Sequence, residues 1–371
     1  MTTTLPIFMV MLAGFTAFVV PQSTALSSSP PSVANSKVLY VDGSRCMIIP
    51  ATLNKKDDQK LHPPIVIMGG IAQTISSWEH HIPALSRSNR HIVLYECIGQ
   101  GFPSPPQSDR KQSNTNNKGE ANMYENVSLE YQAELLMKTI DQLTTEHSFV
   151  SDGGGSPPNS DDVQVVDIVG FSFGARVAMA TACLYPNRIR KLHLTGVAID
   201  RSDFGHLAVS SWKDCLQVAT SQARNSSNNN DEEAAAMLLK PFAWSILLAT
   251  YSSEFLRKSR VERFIQHICV ANHPPGLLAL MEQAEVTDIN NPWHVRNMAK
   301  RLKDLSVSSS SPQGHICVGE FDQMAPVVHA QELCRILDWE DELTVVPNCA
   351  HAVGTEAPIL WRKDVLKFLA T

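Results

Sequence analysis

The chain has 371 residues, 43% of them hydrophobic and 18% charged, a length and balance that support a large buried core and argue against a disordered polypeptide. A formal net charge of −6 with no basic run speaks against nucleic acid or an anionic membrane as the main partner. None of the eight cysteines reaches C-x-x-C spacing, so a cysteine-based zinc site or redox pair is not expected, and free cysteines inside apolar patterns read as small hydrophobes.

In chain order, the first feature is the apolar run Leu5–Val20, followed by Pro21-Gln22-Ser23-Thr24-Ala25. It is short of the ~20 residues needed to cross a bilayer, so no stable span is expected in the mature chain. Its small-residue exit is that of a secretory signal peptide, although no lysine or arginine precedes it. The serine-rich stretch after Ala25 is free of acidic residues up to Asp42, and resembles the two-part leader of algae whose plastids lie within the endomembrane system. A secreted or lumenal destination is the competing expectation. Sequons at Asn126 and Asn225 fit either one. Residues 1–36 are therefore set apart from the fold as a leader.

Val38–Asp42 and Cys46–Thr52 read as an antiparallel hairpin, and Pro64–Met68 as a buried strand ending in Gly69-Gly70. A helix is expected over Ile75–Ser86, a strand over His91–Glu96 and an amphipathic helix over Val127–Glu146, with Leu129, Ala133, Leu136, Ile140 and Leu143 on one face. Polar, Pro/Gly-rich stretches at 103–122 and 151–162 read as loop insertions. Next, Val163–Val169 runs as a β-branched strand into Gly170-Phe171-Ser172-Phe173-Gly174, and an alanine-rich helix follows through Leu184. A serine between two such glycines, at the turn from strand to helix, has its hydroxyl raised above the sheet edge.

A strand at Lys191–Thr195 precedes a block of helices only, about 203–305. Strand signals return at His315–Gly319 and Leu343–Val346, and Pro358–Leu369 closes the chain as a helix. Strands alternating with helices and interrupted by one helical block predict a mostly parallel α/β sheet bearing a helical cap. The organisation expected is a core over 37–202 and 306–371 with a cap over 203–305.

Serine is a weak nucleophile at neutral pH and needs a base, which needs an orienting carboxylate. Asp322 follows the strand His315–Gly319, and His351 follows the strand Leu343–Val346. Both fall at the carboxyl edge of the sheet, where Ser172 emerges and where open α/β sheets bind ligands. Glu320 is the rival acid, two residues nearer the strand.

These segments resemble the α/β-hydrolase superfamily over about residues 37–371. Gly170–Gly174 matches its nucleophile elbow, Gly319-Glu320-Phe321-Asp322 with Pro326 its acid segment, and His351 with Glu356 and Pro358 its histidine segment. Tyr95–Gly101 resembles its D-x-R-G-x-G turn without the arginine, and Gly69-Gly70 with Trp78 its H-G…W segment with glycine in place of histidine. The resemblance implies an α/β-hydrolase fold, a Ser172–His351–Asp322 triad, and an oxyanion hole from the N–H groups of Ile71 and Phe173. It implies a small acyl or ester substrate and no metal or cofactor. Gly70, Trp244 and Arg176 are candidate substrate contacts. Arg176 matches the position of a substrate-binding arginine in the menaquinone-pathway synthase of this superfamily, which leaves open a lyase, or a non-catalytic binding protein on this fold. Trp212, Phe242, Trp244, Leu247, Leu248, Leu277 and Leu280 of the cap are expected to line an apolar pocket, whereas His80, His81, His193 and His267 show no matching partners in the sequence.

Overall fold

The computed structural model describes residues 36–51, 62–101, 124–147, 165–225, 237–306 and 311–370. The leader, apart from its last residue, and both expected insertions lie outside them. The strands are β1 (Lys37–Val41), β2 (Ser44–Ile49), β3 (Ile65–Met68), β4 (Ile92–Glu96), β5 (Val166–Phe171), β6 (Ile189–Thr195), β7 (Gln313–Gly319) and β8 (Leu343–Val346). They form one eight-stranded sheet in the order β1-β2-β4-β3-β5-β6-β7-β8. The β1–β2 and β2–β4 pairs are antiparallel and the remaining pairs parallel.

The α-helices are α1 (Ile82–Leu85), α2 (Leu129–His147), α3 (Phe173–Leu184), α4 (Asp203–Asn225), α5 (Lys240–Thr250), α6 (Ser253–Lys258), α7 (Val261–Ala271), α8 (Pro274–Gln283), α9 (Val295–Ser306), α10 (Val327–Leu337), α11 (Val353–Glu356) and α12 (Pro358–Ala370). The period of two in β3 divides it between the faces: Val66 and Met68 join α2 and α3, while Ile65 and Ile67 join α1 and α12. Helices on both faces leave no wet side, which is why β3 and β5 read as unbroken apolar runs rather than alternating ones. Asp167 is the exception in β5, and the guanidinium of Arg90 meets its buried carboxylate at 2.6 Å.

Two expectations change. Ile75–Ser86 is not one helix but two 3₁₀ turns, Ile75–Ser77 and Glu79–His81, followed by the single α-turn α1. Pro83 offers no N–H to a carbonyl four residues back, so a continuous helix across it loses a bond and the segment restarts there. The helical block is also not uniform. Helices α4, α5, α7 and α8 share an apolar cluster of their own around Trp212, Leu216, Phe242 and Leu277. By contrast, Val295, Met298, Ala299 and Leu302 of α9 join the core of the sheet. Packing therefore divides the helical block, with α9 on the core of the sheet and α4, α5, α7 and α8 around a cluster of their own. Among the described residues, no helix is long and apolar enough to cross a membrane.

Candidate active site

Ser172 stands between β5 and α3 with φ 52° and ψ −110°, in backbone space that a residue with a Cβ rarely enters. Holding it there costs on the order of 1–3 kcal/mol, so the surroundings must impose it. They do so by close approach on both sides. A Cβ on Gly170 would sit 2.6 Å from the Cα of Ala175, and one on Gly174 would sit 2.5 Å from the carbonyl oxygen of Met68. The main chain is tied as well: Ser172 N–H donates to the Thr195 carbonyl at 2.8 Å and Gly174 N–H to the Gly69 carbonyl at 3.0 Å.

Asp322 and His351 arrive from β7 and β8. The Asp322 side chain is fully buried; its Oδ1 accepts from the N–H groups of Met324 (2.9 Å) and Ala325 (2.8 Å). Its Oδ2 takes the Nδ1–H of His351 at 2.8 Å. A carboxylate only accepts, so this bond assigns the imidazole proton to Nδ1 and leaves the lone pair on Nε2. The histidine loop is clamped by Glu356, whose carboxylate accepts from Ala350 N–H (3.1 Å) and Ser252 N–H (3.2 Å), the latter at the start of α6. Burial raises the pKa of Glu356 above the usual carboxylate range. Glu320 turns outward instead, accepting from Asn348 N–H at 2.9 Å.

Ser172 and His351 open onto one cavity of about 370 Å³ between the sheet edge and helices α4, α5 and α7. Gly70 and Ile71 line it, as do Trp212 of α4 and Ile246 and Leu247 of α5. Trp244 does not: it is 38% exposed on α5 and absent from the cavity wall. Phe242, Leu277 and Leu280 are buried in packing and Leu248 is 65% exposed, so four more of the expected lining residues fall away. The reason is helical phase, since Trp244 and Leu248 are four residues apart on the outer face of α5 while Leu247 faces inward. His80 and His267, unmatched in the sequence, do line the cavity.

The Gly69–Gln73 loop reveals two side chains that sequence reasoning missed. Gly70 N–H donates to Gln73 Oε1 at 2.7 Å, and Gly70 O accepts from Gln100 Nε2 at 2.5 Å. The Gly70 carbonyl and the Ile71 N–H belong to one planar trans peptide, so a donor holding the oxygen aims the N–H the opposite way. A Cβ on Gly70 would lie 3.1 Å from the Cβ of Ser172, which puts this peptide beside Ser172. Phe173 N–H, the second expected donor, is the first amide of α3 and has no intrahelical acceptor. A side chain at Gly69 would meet the Cβ of Gln73 and the Nε1 of Trp78, each at 2.8 Å, so the space of the family's histidine is filled. Asn272, between α7 and α8, adds a further tie, donating to Ala72 O at 3.1 Å and accepting from Gly101 N–H at 3.2 Å. The signal for Gln100 was its place between Gly99 and Gly101, both at positive φ in a turn beside the loop. Gln100→Leu should lower kcat about 10–100-fold, less than the ~100–1000-fold cost of deleting a donor outright, with KM nearly unchanged. Steady-state kinetics with a soluble ester checks it.

Arg176 reaches the cavity wall, but its guanidinium is engaged. Nη1 meets Glu285 Oε2 at 2.7 Å, Nη2 donates to Val286 O at 2.9 Å, and Arg201 also pairs with Glu285. Burial alone would raise the pKa of Glu285, yet the two guanidinium groups hold it below the usual carboxylate range. A carboxylate depressed on folding contributes stability that is full above the unfolded value, ~4.3, and is lost as pH falls through the folded value. Glu285→Gln strands a buried charge and should cost ~3–5 kcal/mol at neutral pH. Denaturant melts of both proteins should show this gap shrinking as the pH drops below ~4.

No protein-family model and no curated protein matches the sequence. Solved structures match over nearly their whole length. An α/β-hydrolase enzyme from a Medee basin deep-sea metagenome library superposes with a TM-score of 0.60 at 18% identity, covering 90% of this chain and 98% of the other. The enol-lactonase of Burkholderia xenovorans LB400 gives 0.58 at 14% identity, over 90% and 100%. The carboxylesterase of Bacillus subtilis gives 0.56 at 15% identity, over 90% of each chain. The chain has the α/β-hydrolase fold.

Proposed function

We propose that the protein is a serine hydrolase that cleaves a carboxylic ester or related acyl bond. One observation carries the reading: a serine held in a strained elbow shares a cavity with a histidine whose Nδ1–H is bound by a buried aspartate. Nε2 of His351 takes the proton of Ser172 as Oγ attacks the carbonyl carbon. The oxyanion forms against the N–H groups of Ile71 and Phe173. Collapse expels the alcohol, which receives its proton from His351, and water then releases the acyl group by the same steps. Asp322 stays ionised and balances the imidazolium. The neighbours' names, esterase, lactonase and carboxylesterase among them, point the same way.

The lyase reading needs Arg176 to take a substrate carboxylate at two points. Both terminal nitrogens of Arg176 are already engaged, by Glu285 and by Val286 O, so a two-point contact to a substrate carboxylate would have to displace them, and the geometry favours the ester reading. A fluorophosphonate probe combined with a panel of neutral and acidic esters tests both readings. Labelling of Ser172 with turnover of neutral esters is expected. Absence of labelling in folded protein would favour a binding protein on this fold.

A further inference from the structure

We propose that His193, His315 and Asp364 form a binding site for a single Zn²⁺ ion, remote from the cavity and structural in effect. His193 and His315 are direct neighbours in register on the parallel strands β6 and β7, and α12 brings Asp364 to both. Their Nε2 atoms converge on one carboxylate oxygen, Asp364 Oδ2, at 2.9 and 3.1 Å. The three ligand atoms lie within 4.8 Å of one another, and none of the three residues lines the cavity.

The outer groups favour a metal over a chance cluster. A metal-binding imidazole donates its far nitrogen to a carboxylate or another oxygen, which fixes the ring and its tautomer. Here Nδ1 of His315 faces Glu342 Oε2 at 3.1 Å, and Nδ1 of His193 faces Thr195 Oγ1 at 3.4 Å. Thr195 Oγ1 is itself fixed by the indole N–H of Trp361 at 2.9 Å. These contacts hold both rings with Nε2 aimed at one point, where each Nε2–H donates to Asp364 Oδ2; an ion there would take the two lone pairs that those protons leave. Asp364 Oδ1 accepts from Thr344 Oγ1 at 2.7 Å, which steadies the third ligand.

Size and access agree. Bonds of 2.0–2.2 Å in a tetrahedron separate ligand atoms by about 3.4 Å, so each contact must open by roughly 0.3–0.5 Å. The His193 side chain is sealed, while those of His315 and Asp364 are 10% and 12% exposed, which gives an ion a way in. Two imidazoles and one carboxylate suit Zn²⁺, with water or Thr344 as the fourth donor. The ion would replace the protons between Nε2 and Oδ2, release them to solvent, and cross-link the adjacent strands β6 and β7 to α12.

The test is titration of the full chain, freed of any affinity tag, with Zn²⁺ and then Co²⁺. The expected result is one equivalent bound, a rise in melting temperature, and the visible absorption of tetrahedral Co²⁺. Glu342→Gln should weaken Zn²⁺ binding about 10–100-fold, and Asp364→Asn by more. His351→Ala should bind as wild type does, which separates this site from the triad. If Asp364→Asn does not fold, Glu342→Gln decides, because Glu342 is half exposed and tolerant of change. No stoichiometric binding by wild type, or binding unaltered by Glu342→Gln, overturns the proposal and leaves His315 as an imidazolium held between two carboxylates.

Discussion

Ser172→Ala is expected to abolish fluorophosphonate labelling and to lower kcat on the order of 10⁶-fold, while the melting temperature holds or rises. The rate loss follows from removing the only group on the proposed path that bonds to the acyl carbon. The stability expectation follows from the backbone: the elbow is fixed by Gly170, Gly174 and the Ser172–Thr195 hydrogen bond, none of which involves the hydroxyl. His351→Ala should cost about as much, because an alcohol without its base is nearly inert at neutral pH. The double variant should be little worse than either single one, since each alone stops the same step. Losses that multiplied instead would show the two residues acting independently and would sink the shared mechanism.

The sequence carried those residues because each belongs to a strand end with its own chemistry. A β-branched run into Gly-x-Ser-x-Gly can be read locally, and so can an aspartate or histidine just past a strand. The mostly parallel sheet, its opening hairpin and the final helix were legible for the same reason, since each is strongly patterned, whereas the antiparallel pairing of β2 with β4 had no local signal. What was illegible depends on contacts between distant segments. Gln100 reaches Gly70 across 30 residues, and Glu285 reaches Arg176 across 109. Nothing local to Arg176 announced that its guanidinium would be engaged by a carboxylate just past α8. Trp244 failed for a milder reason: composition showed an apolar helix but not its rotation, and the ring turned outward. The partner of His193 is equally invisible in the sequence, because Asp364 lies 171 residues further along the chain.

The choice of acid gives the sharpest remaining test, because Asp322 and Glu320 stand two residues apart at the end of one strand. Asp322→Asn should preserve the fold and still lower kcat ~10⁴-fold. An amide at this position can turn its oxygen to the Met324 and Ala325 amides, as the carboxylate does now, and would then present NH₂ to His351. The imidazole would have to answer with a bare Nδ1, which moves its proton to Nε2, where Ser172 needs a lone pair. The penalty is therefore one of tautomer and charge, and substrate binding should change far less than kcat. Glu320→Gln removes only an exposed contact to Asn348 N–H, so an effect within a few-fold is expected. Steady-state kinetics and denaturation melts on the two variants separate the roles. A large loss at Glu320 with a small one at Asp322 would transfer the orienting role to Glu320, whatever the resting hydrogen bond of His351.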